Sequence, residues 1–270
     1  MDVPDDRGEP STGGDAPAHW FGDIASFLGP AYLRYSFTMG TAQEVEALSD
    51  ILELRPGERL VDVGCGPGRH AVAMAAAGLD VTGVDISPDF VALATTWAEE
   101  AGVADRCRFV VGDARHLVGS ALHAAGPYDA VISLCQGAFG LAGGPSAAAP
   151  RLAERELDEP ILASMAALLR PGGRLAVSAF SAYFQIRYLE DGDVFDAEAG
   201  VNHEATILRD LEGLERPAEL WTTCFTPREL RLLARLVGLR VEAVHGVTPG
   251  DYGSRPPSID RPEFLLVATR

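Results

Sequence analysis

Between residues 60 and 180, apolar runs alternate with stretches in which apolar residues recur at helical spacing. The runs at 60–63, 81–84, 109–111, 128–134 and 174–180 have the length of buried strands, and the helical pattern occupies 69–77, 88–101, a short piece near 115–124, and 151–169. Such alternation predicts an α/β fold with a parallel sheet covered by helices on both faces. Pro88 stands at the first turn of its helix, where the missing N–H costs nothing, with Ser87 as N-cap. The glycines and alanines of 140–150 read as a loop beyond the fourth strand, at the rim of a site.

Outside this block the pattern changes. Residues 1–17 carry Asp, Gly, Pro and Ser with almost no apolar side chain, which predicts a disordered tail before a single domain over 18–270. Trp20, Phe21, Ile24, Phe27 and Leu28 fall at helical spacing, followed by Tyr32, Leu33, Tyr35 and Phe37 and by a helix that stops before Pro56-Gly57. This 18–56 segment either folds as a helical lid over a ligand or covers one face of the sheet. After the fifth strand, 181–222 is too long for a plain connection; its runs at 205–208 and 219–222, parted by a polar stretch with Gly213, predict an antiparallel hairpin serving as a substrate cap. Thr226-Pro227-Arg228-Glu229 has the spacing of a capping box and opens a last helix. Strands at 239–244 and 264–268 close the chain, with a Pro/Gly-rich loop holding Tyr252 and Arg255 between them.

Composition narrows the function. The chain has 270 residues and a net charge of −17, and all 22 basic residues are arginine. An acidic surface without an arginine stripe disfavours nucleic acid, and the absence of lysine removes Schiff-base chemistry. No apolar run is long enough to span a membrane and no secretion signal is present, so the expected location is the cytoplasm, as a monomer or homodimer. Cys65, Cys107, Cys135 and Cys224 are scattered and read as reduced packing residues. No His/Cys/acid spacing compels a metal site.

The chemistry concentrates at Leu60-Val61-Asp62-Val63-Gly64-Cys65-Gly66-Pro67-Gly68, followed by Val81-Thr82-Gly83-Val84-Asp85-Ile86. Glycines at a strand end let a ligand approach the backbone, and an acid ending the next strand can accept hydrogen bonds from two ribose hydroxyls. That layout serves either a dinucleotide or S-adenosylmethionine. The glycine spacing is not G-x-G-x-x-G, and Asp62 inside the strand end suits a cation better than a pyrophosphate.

Residues 61–68 resemble the first motif of class I S-adenosylmethionine-dependent methyltransferases, and 60–180 resembles that family in the order of its motifs. The resemblance implies a Rossmann-like, doubly wound, mostly parallel seven-stranded sheet with an antiparallel last strand. It also implies S-adenosyl-L-methionine held by Asp62, Gly64, Cys65, Gly66, Asp85, Ile86, Asp113, Ala114 and Leu134, with Asp113 facing the adenine amine. The expected activity is methyl transfer to an O, N or C nucleophile of a small molecule; the alternatives are a different chemistry on the same bound cofactor, or a non-catalytic scaffold.

A sulfonium is already a strong electrophile, so transfer chiefly demands positioning and exclusion of water, and a base is optional. His203, at the start of the hairpin, is the candidate base; its other reading is a cap histidine bonded to a carbonyl. Glu204, next to it on a strand, points to the opposite face. Gln136 and Phe139, past the fourth strand, are candidate substrate contacts or parts of a structural turn. Tyr183 and Arg187 open the insertion, where they either meet an acidic substrate or form surface pairs. His70, His245 and Tyr252 are weaker candidates.

Overall fold

A computed structural model describes residues 19–135, 137–141, 144 and 158–270. The expected tail at 1–17, Gln136, most of the 140–150 loop and the first part of the 151–169 helix lie outside the described residues.

The chain begins with α1 (Phe21–Leu28), two 3-10 turns (Gly29–Arg34 and Ser36–Thr38) and α2 (Thr41–Ile51). The α/β block follows as β1 (Arg59–Val63), α3 (Arg69–Ala76), β2 (Asp80–Asp85), α4 (Pro88–Glu100), β3 (Cys107–Val111), α5 (Ala121–Ala125), β4 (Tyr128–Ser133), α6 (Asp158–Leu168) and β5 (Leu169–Ser181). Ser87 caps α4 by accepting a hydrogen bond from the Phe90 N–H. The helix expected near 115–124 is instead a 3-10 turn (Ala114–His116) and the five-residue α5. Gly119, at φ +84°, breaks the helical path, and Ser120 caps a fresh start.

Seven strands form the main sheet in the order β3-β2-β1-β4-β5, then β10 (Glu263–Thr269) and β9 (Arg240–Val247). β1 to β5 are parallel; β10 runs antiparallel to both β5 and β9. One face buries Val61, Val131, Met165, Leu175 and Leu230 under α6 and α8 (Pro227–Leu236); the other buries Leu48, Leu60, Met74, Ile132 and Leu265 under α2 and α3. Fully burying each large side chain contributes roughly 1.5–3 kcal/mol. The capping box at Thr226 and Glu229 forms as the spacing predicts.

The insertion is larger than its hydrophobic pattern indicates. It comprises α7 (Ala182–Arg187), β6 (Val194–Asp196), β7 (Val201–Arg209) and β8 (Glu215–Phe225), with β7 antiparallel to both neighbours. Only two residue pairs, Phe180 with Cys224 and Ser181 with Phe225, join this small sheet to the large one. Side chains alternate across a strand, so Asn202, Glu204, Thr206 and Leu208 share one face of β7 with Thr222, Leu220, Ala218 and Arg216 opposite them. That face turns toward the N-terminal segment, where Leu208, Ala218 and Leu220 pack with Ile24, Leu28, Tyr32 and Tyr35. Trp221, on the other face, meets Trp20 edge-on with ring centroids 5.5 Å apart.

Candidate active site

The strand order reverses at β1, whose neighbours are β2 and β4, and a ligand crevice opens beyond the carboxyl ends of strands at such a point. Gly64, Gly66 and Gly68 all hold left-handed φ, at +71°, +53° and +88°. A Cβ on Gly64 would lie 2.0 Å from the carbonyl carbon of Gly137, so the turns after β1 and β4 touch backbone to backbone. At Gly66 a Cβ would meet only Tyr32, at 3.8 Å, which leaves that stretch of backbone open to a ligand.

Three acids line up along this edge. Asp85 ties the turn together: its carboxylate accepts hydrogen bonds from the Gly66 N–H at 2.8 Å and the Ser87 N–H at 2.9 Å. Burial nevertheless pushes its carboxyl up to about 6. Asp62 is 1% exposed with one oxygen lacking any partner, and burial drives it to about 7. Asp113 is clamped by Arg115, whose Nε lies 3.0 Å from both carboxylate oxygens. Partial burial would raise the Asp113 carboxyl, but the Arg115 hydrogen bonds and charge outweigh it and hold it at about 2. The cleft along these residues is lined by Gly64, Asp85, Ile86, Asp113 and Ala114, and covered by His19, Phe21 and Leu141. His19 Nε2 and the Trp20 indole N–H both reach the Leu141 carbonyl, at 3.1 and 3.2 Å, tying the N-terminal segment to the segment after β4.

These features fit S-adenosylmethionine. An unpartnered buried carboxylate at one end suits an ammonium group, an acid in the middle suits paired hydroxyls, and open glycine backbone admits close approach. Among the described residues no group of three His, Cys, Asp or Glu side chains is placed to hold a metal ion.

Behind the glycine turn lies a buried polar network. Glu44, 0% exposed, accepts hydrogen bonds from Arg69 at 2.6 Å, from the Gly250 N–H at 2.7 Å, and faces His70 Nε2 at 2.7 Å. Burial works to raise the Glu44 carboxyl, but the His70 hydrogen bond and the Arg69 charge outweigh it and hold it below the ordinary value. Burial lowers His70, against the Glu44 hydrogen bond, which works to raise it. Arg69 also reaches Cys135 Sγ at 2.7 Å. Cys135 holds a left-handed φ of +49°, unusual for a non-glycine residue and characteristic of constrained sites. Its N–H donates to Ser178 Oγ at 2.7 Å, and the Ser178 hydroxyl bonds the carboxyl of Glu263. Glu263 has one oxygen without a partner, and burial pushes it up to about 7.

The residues singled out from the sequence divide among several places. Ile86 and Ala114 line the cleft, whereas the Cys65 and Leu134 side chains are buried beneath it. Phe139 is 0% exposed and stacks on Phe225 at 4.7 Å, inside the core instead of on a substrate wall. Beside it the Gly140 N–H donates to Asp158 Oδ1 at 2.7 Å, at the start of α6, which ties this stretch to the core. Tyr183 lies on exposed α7, and Arg187 pairs with Asp260 at 3.2 Å on the surface. His203 stacks flat on Trp221 at 4.9 Å, on the β7 face opposite that of Asn202 and Glu204. Its Nε2 is 3.9 Å from Glu219. Glu204 takes the opposite face, as strand alternation predicts. Sequence reasoning missed Glu44, Arg69 and Glu263. Glu44 stands four residues before Leu48 on the buried side of α2, which is the one signal that marked it.

The methyltransferase domain family matches residues 60–173. The 27-O-demethylrifamycin SV methyltransferase of Amycolatopsis mediterranei is 34% identical over 142 residues, which cover 52% of this chain and 45% of that enzyme. The ubiquinone biosynthesis O-methyltransferase of Xanthomonas axonopodis pv. citri is 27% identical over 215 residues, 78% of this chain and 75% of the enzyme. This chain thus spans less than half of the first relative and three quarters of the second. Among solved structures, the CcbJ methyltransferase of Streptomyces caelestis superposes with a TM-score of 0.70 at 18% identity, covering 93% of this chain and 96% of that one. The glycine turn, the strand order and the row of strand-end acids thus stand in the segment, residues 60–173, that matches the methyltransferase domain family.

Proposed function

We propose that this chain methylates a small molecule enclosed between the 18–56 lid and the 181–222 cap. The observation that carries the reading is the row of Asp62, Asp85 and Asp113 along the switch-point edge, with the lid and the cap packed on each other above it. In this reading Asp62 and the backbone of Gly64, Cys65 and Gly66 hold the methionine end of S-adenosylmethionine. Asp85 and Ile86 hold the ribose, Asp113 and Ala114 the adenine, and Leu134 supports the floor. When bound, the cofactor supplies a sulfonium methyl: the acceptor forms a bond to carbon as the carbon–sulfur bond breaks, and the electron pair stays on sulfur.

The protein's own contribution is alignment and exclusion of water. Tyr32, Tyr35 and Phe37 from the lid form a linked aromatic set, with centroids 5.3 Å apart for Tyr32–Phe37 and 5.8 Å for Tyr35–Phe37. They wall off the methionine end from solvent. His203, its ring committed to Trp221, buttresses the cap. Relatives named for a rifamycin and for ubiquinone biosynthesis support a small acceptor.

Calorimetric titration with S-adenosylhomocysteine tests the reading. Binding by the intact protein, lost in Asp85→Ala, is the expected result; absence of binding by the intact protein overturns it.

A further inference from the structure

On the face of the cap hairpin that packs with the N-terminal segment, hydrogen-bond acceptors gather with the Thr206 hydroxyl as the donor beside Glu204. Glu204 is half-buried there, hydrogen-bonded to Thr206, with Asp193 and Glu190 close enough to raise its carboxyl further after burial has done so. Asp193 and Glu204 each stand one residue beyond the Val194–His203 pair that ends the β6–β7 ladder. Like charges directly opposite on neighbouring strands are destabilising. Among the described residues no arginine or histidine comes within ion-pair distance of Glu190, Asp193 or Glu204, although the same hairpin pairs Arg209 with Glu215 at its exposed tip. A second feature points the same way. Asn202, two residues before Glu204 and on the same face, is 3% exposed, yet its amide oxygen has no partner. A buried amide oxygen left unmade costs roughly 1–3 kcal/mol, and both groups ask for donors. Tyr32 and Tyr35 of the N-terminal segment pack with Leu208, Ala218 and Leu220, which share this face, and the face of an aromatic ring favours a cation.

We infer that the acceptor is a small amine that enters as its ammonium, with its N–H groups directed to Glu204 and to the amide oxygen of Asn202. This rests on the methyltransferase reading above. Glu204 takes one proton from the ammonium and becomes the neutral acid. The freed nitrogen lone pair then forms the new N–C bond, and the carbon–sulfur bond breaks with its electrons left on sulfur. The methylated product carries the positive charge away, and Glu204 returns its proton to solvent. His203 takes no part, because it lies on the far face of the strand.

Binding to the S-adenosylhomocysteine complex provides the test, using tyramine, phenethylamine, hexylamine and glucosamine, each beside its N-acetyl derivative. At neutral pH at least one amine is expected to bind at least about tenfold more tightly than its acetylated twin, equivalent to roughly 1.4 kcal/mol. Glu204→Gln should erase that preference, and Glu204→Asp should retain part of it. Both variants should bind S-adenosylhomocysteine as the parent does, which certifies their folding. Equal binding of the twins, no binding by any amine, or a preference that survives Glu204→Gln overturns the amine inference. Any of these alongside intact S-adenosylhomocysteine binding leaves the methyltransferase reading standing; loss of that binding in the parent chain sinks the reading itself.

Discussion

Gly64 and Gly137 meet backbone to backbone, with no room for a methyl group on either: a Cβ on Gly137 would lie 2.0 Å from the Gly64 carbonyl oxygen. This contact sets the width of the crevice between β1 and β4. Gly64→Ala would add a clash with backbone, which cannot rotate away, to an unfavourable φ of +71°. The expected loss is about 2–4 kcal/mol of stability, with S-adenosylhomocysteine affinity falling further than stability alone explains. Urea unfolding and calorimetry on the same variant measure the two effects separately.

Glu44 anchors the lid to the helix that follows the glycine turn. Replacing it with alanine leaves Arg69 buried at 7% exposure without its carboxylate and strips the Gly250 N–H of its acceptor. Removing one member of a buried ion pair typically costs about 3–5 kcal/mol. Chemical denaturation of Glu44→Ala should show a loss of that size, whereas a loss below about 1 kcal/mol would mean that the network rearranges freely.

Asp62 gives the site a pH dependence whose sign is fixed. Its carboxyl is raised in the folded state from an ordinary value of 3.8 to about 7, so the native protein holds a proton that the unfolded chain has released. The resulting stability is fully present below the unfolded value and is lost as pH rises through about 7. Relative to Asp62→Asn, the parent should lose up to about 1.4 kcal/mol per pH unit in that window. Cofactor binding has the opposite sign. A ligand ammonium favours the ionised acid, so binding should tighten as pH rises and release a proton, detectable by calorimetry in buffers of different ionisation enthalpy. Asp62→Asn should remove that proton release.

Trp20 and Trp221 clasp the lid to the cap. An aromatic pair of this kind contributes roughly 0.5–1.5 kcal/mol beyond its buried area, too little to hold the fold but enough to bias a local opening. Trp221→Ala should leave global unfolding nearly unchanged while speeding amide exchange across β7 and β8. Uniform exchange across the molecule would count against a separate opening of the cap.

Much of the cofactor half was legible because local chemistry decides it. Glycines with positive φ, acids at strand ends and a 20-residue strand–helix repeat constrain the chain without help from distant residues. The capping box at Thr226 and Glu229 formed for the same reason. The acceptor half was harder to read. Phe139 reads as a wall from its position beyond β4, yet it packs in the core against Phe225, 86 residues on in the chain. Glu44 reads as one more polar position on an amphipathic helix, and only its partners, 25 and 206 residues away, explain its burial. Glu263 is similar: a carboxylate opening an apolar strand gives no sign that Ser178 and the Cys135 turn lie beside it. Strand alternation did separate His203 from Glu204, but choosing which face looks inward required the packing of Leu208 and Leu220 on α1.

The cap hairpin meets the main sheet through two residue pairs at the end of β5, Phe180 with Cys224 and Ser181 with Phe225. So narrow a junction leaves the register of the small sheet nearly independent of that of the large one. Substitutions along β6, β7 and the outer part of β8 can accumulate without shifting the register of the seven strands that carry the cofactor edge. In the proposed reading, a change of acceptor needs one appendage redrafted while the cofactor edge stays as it is.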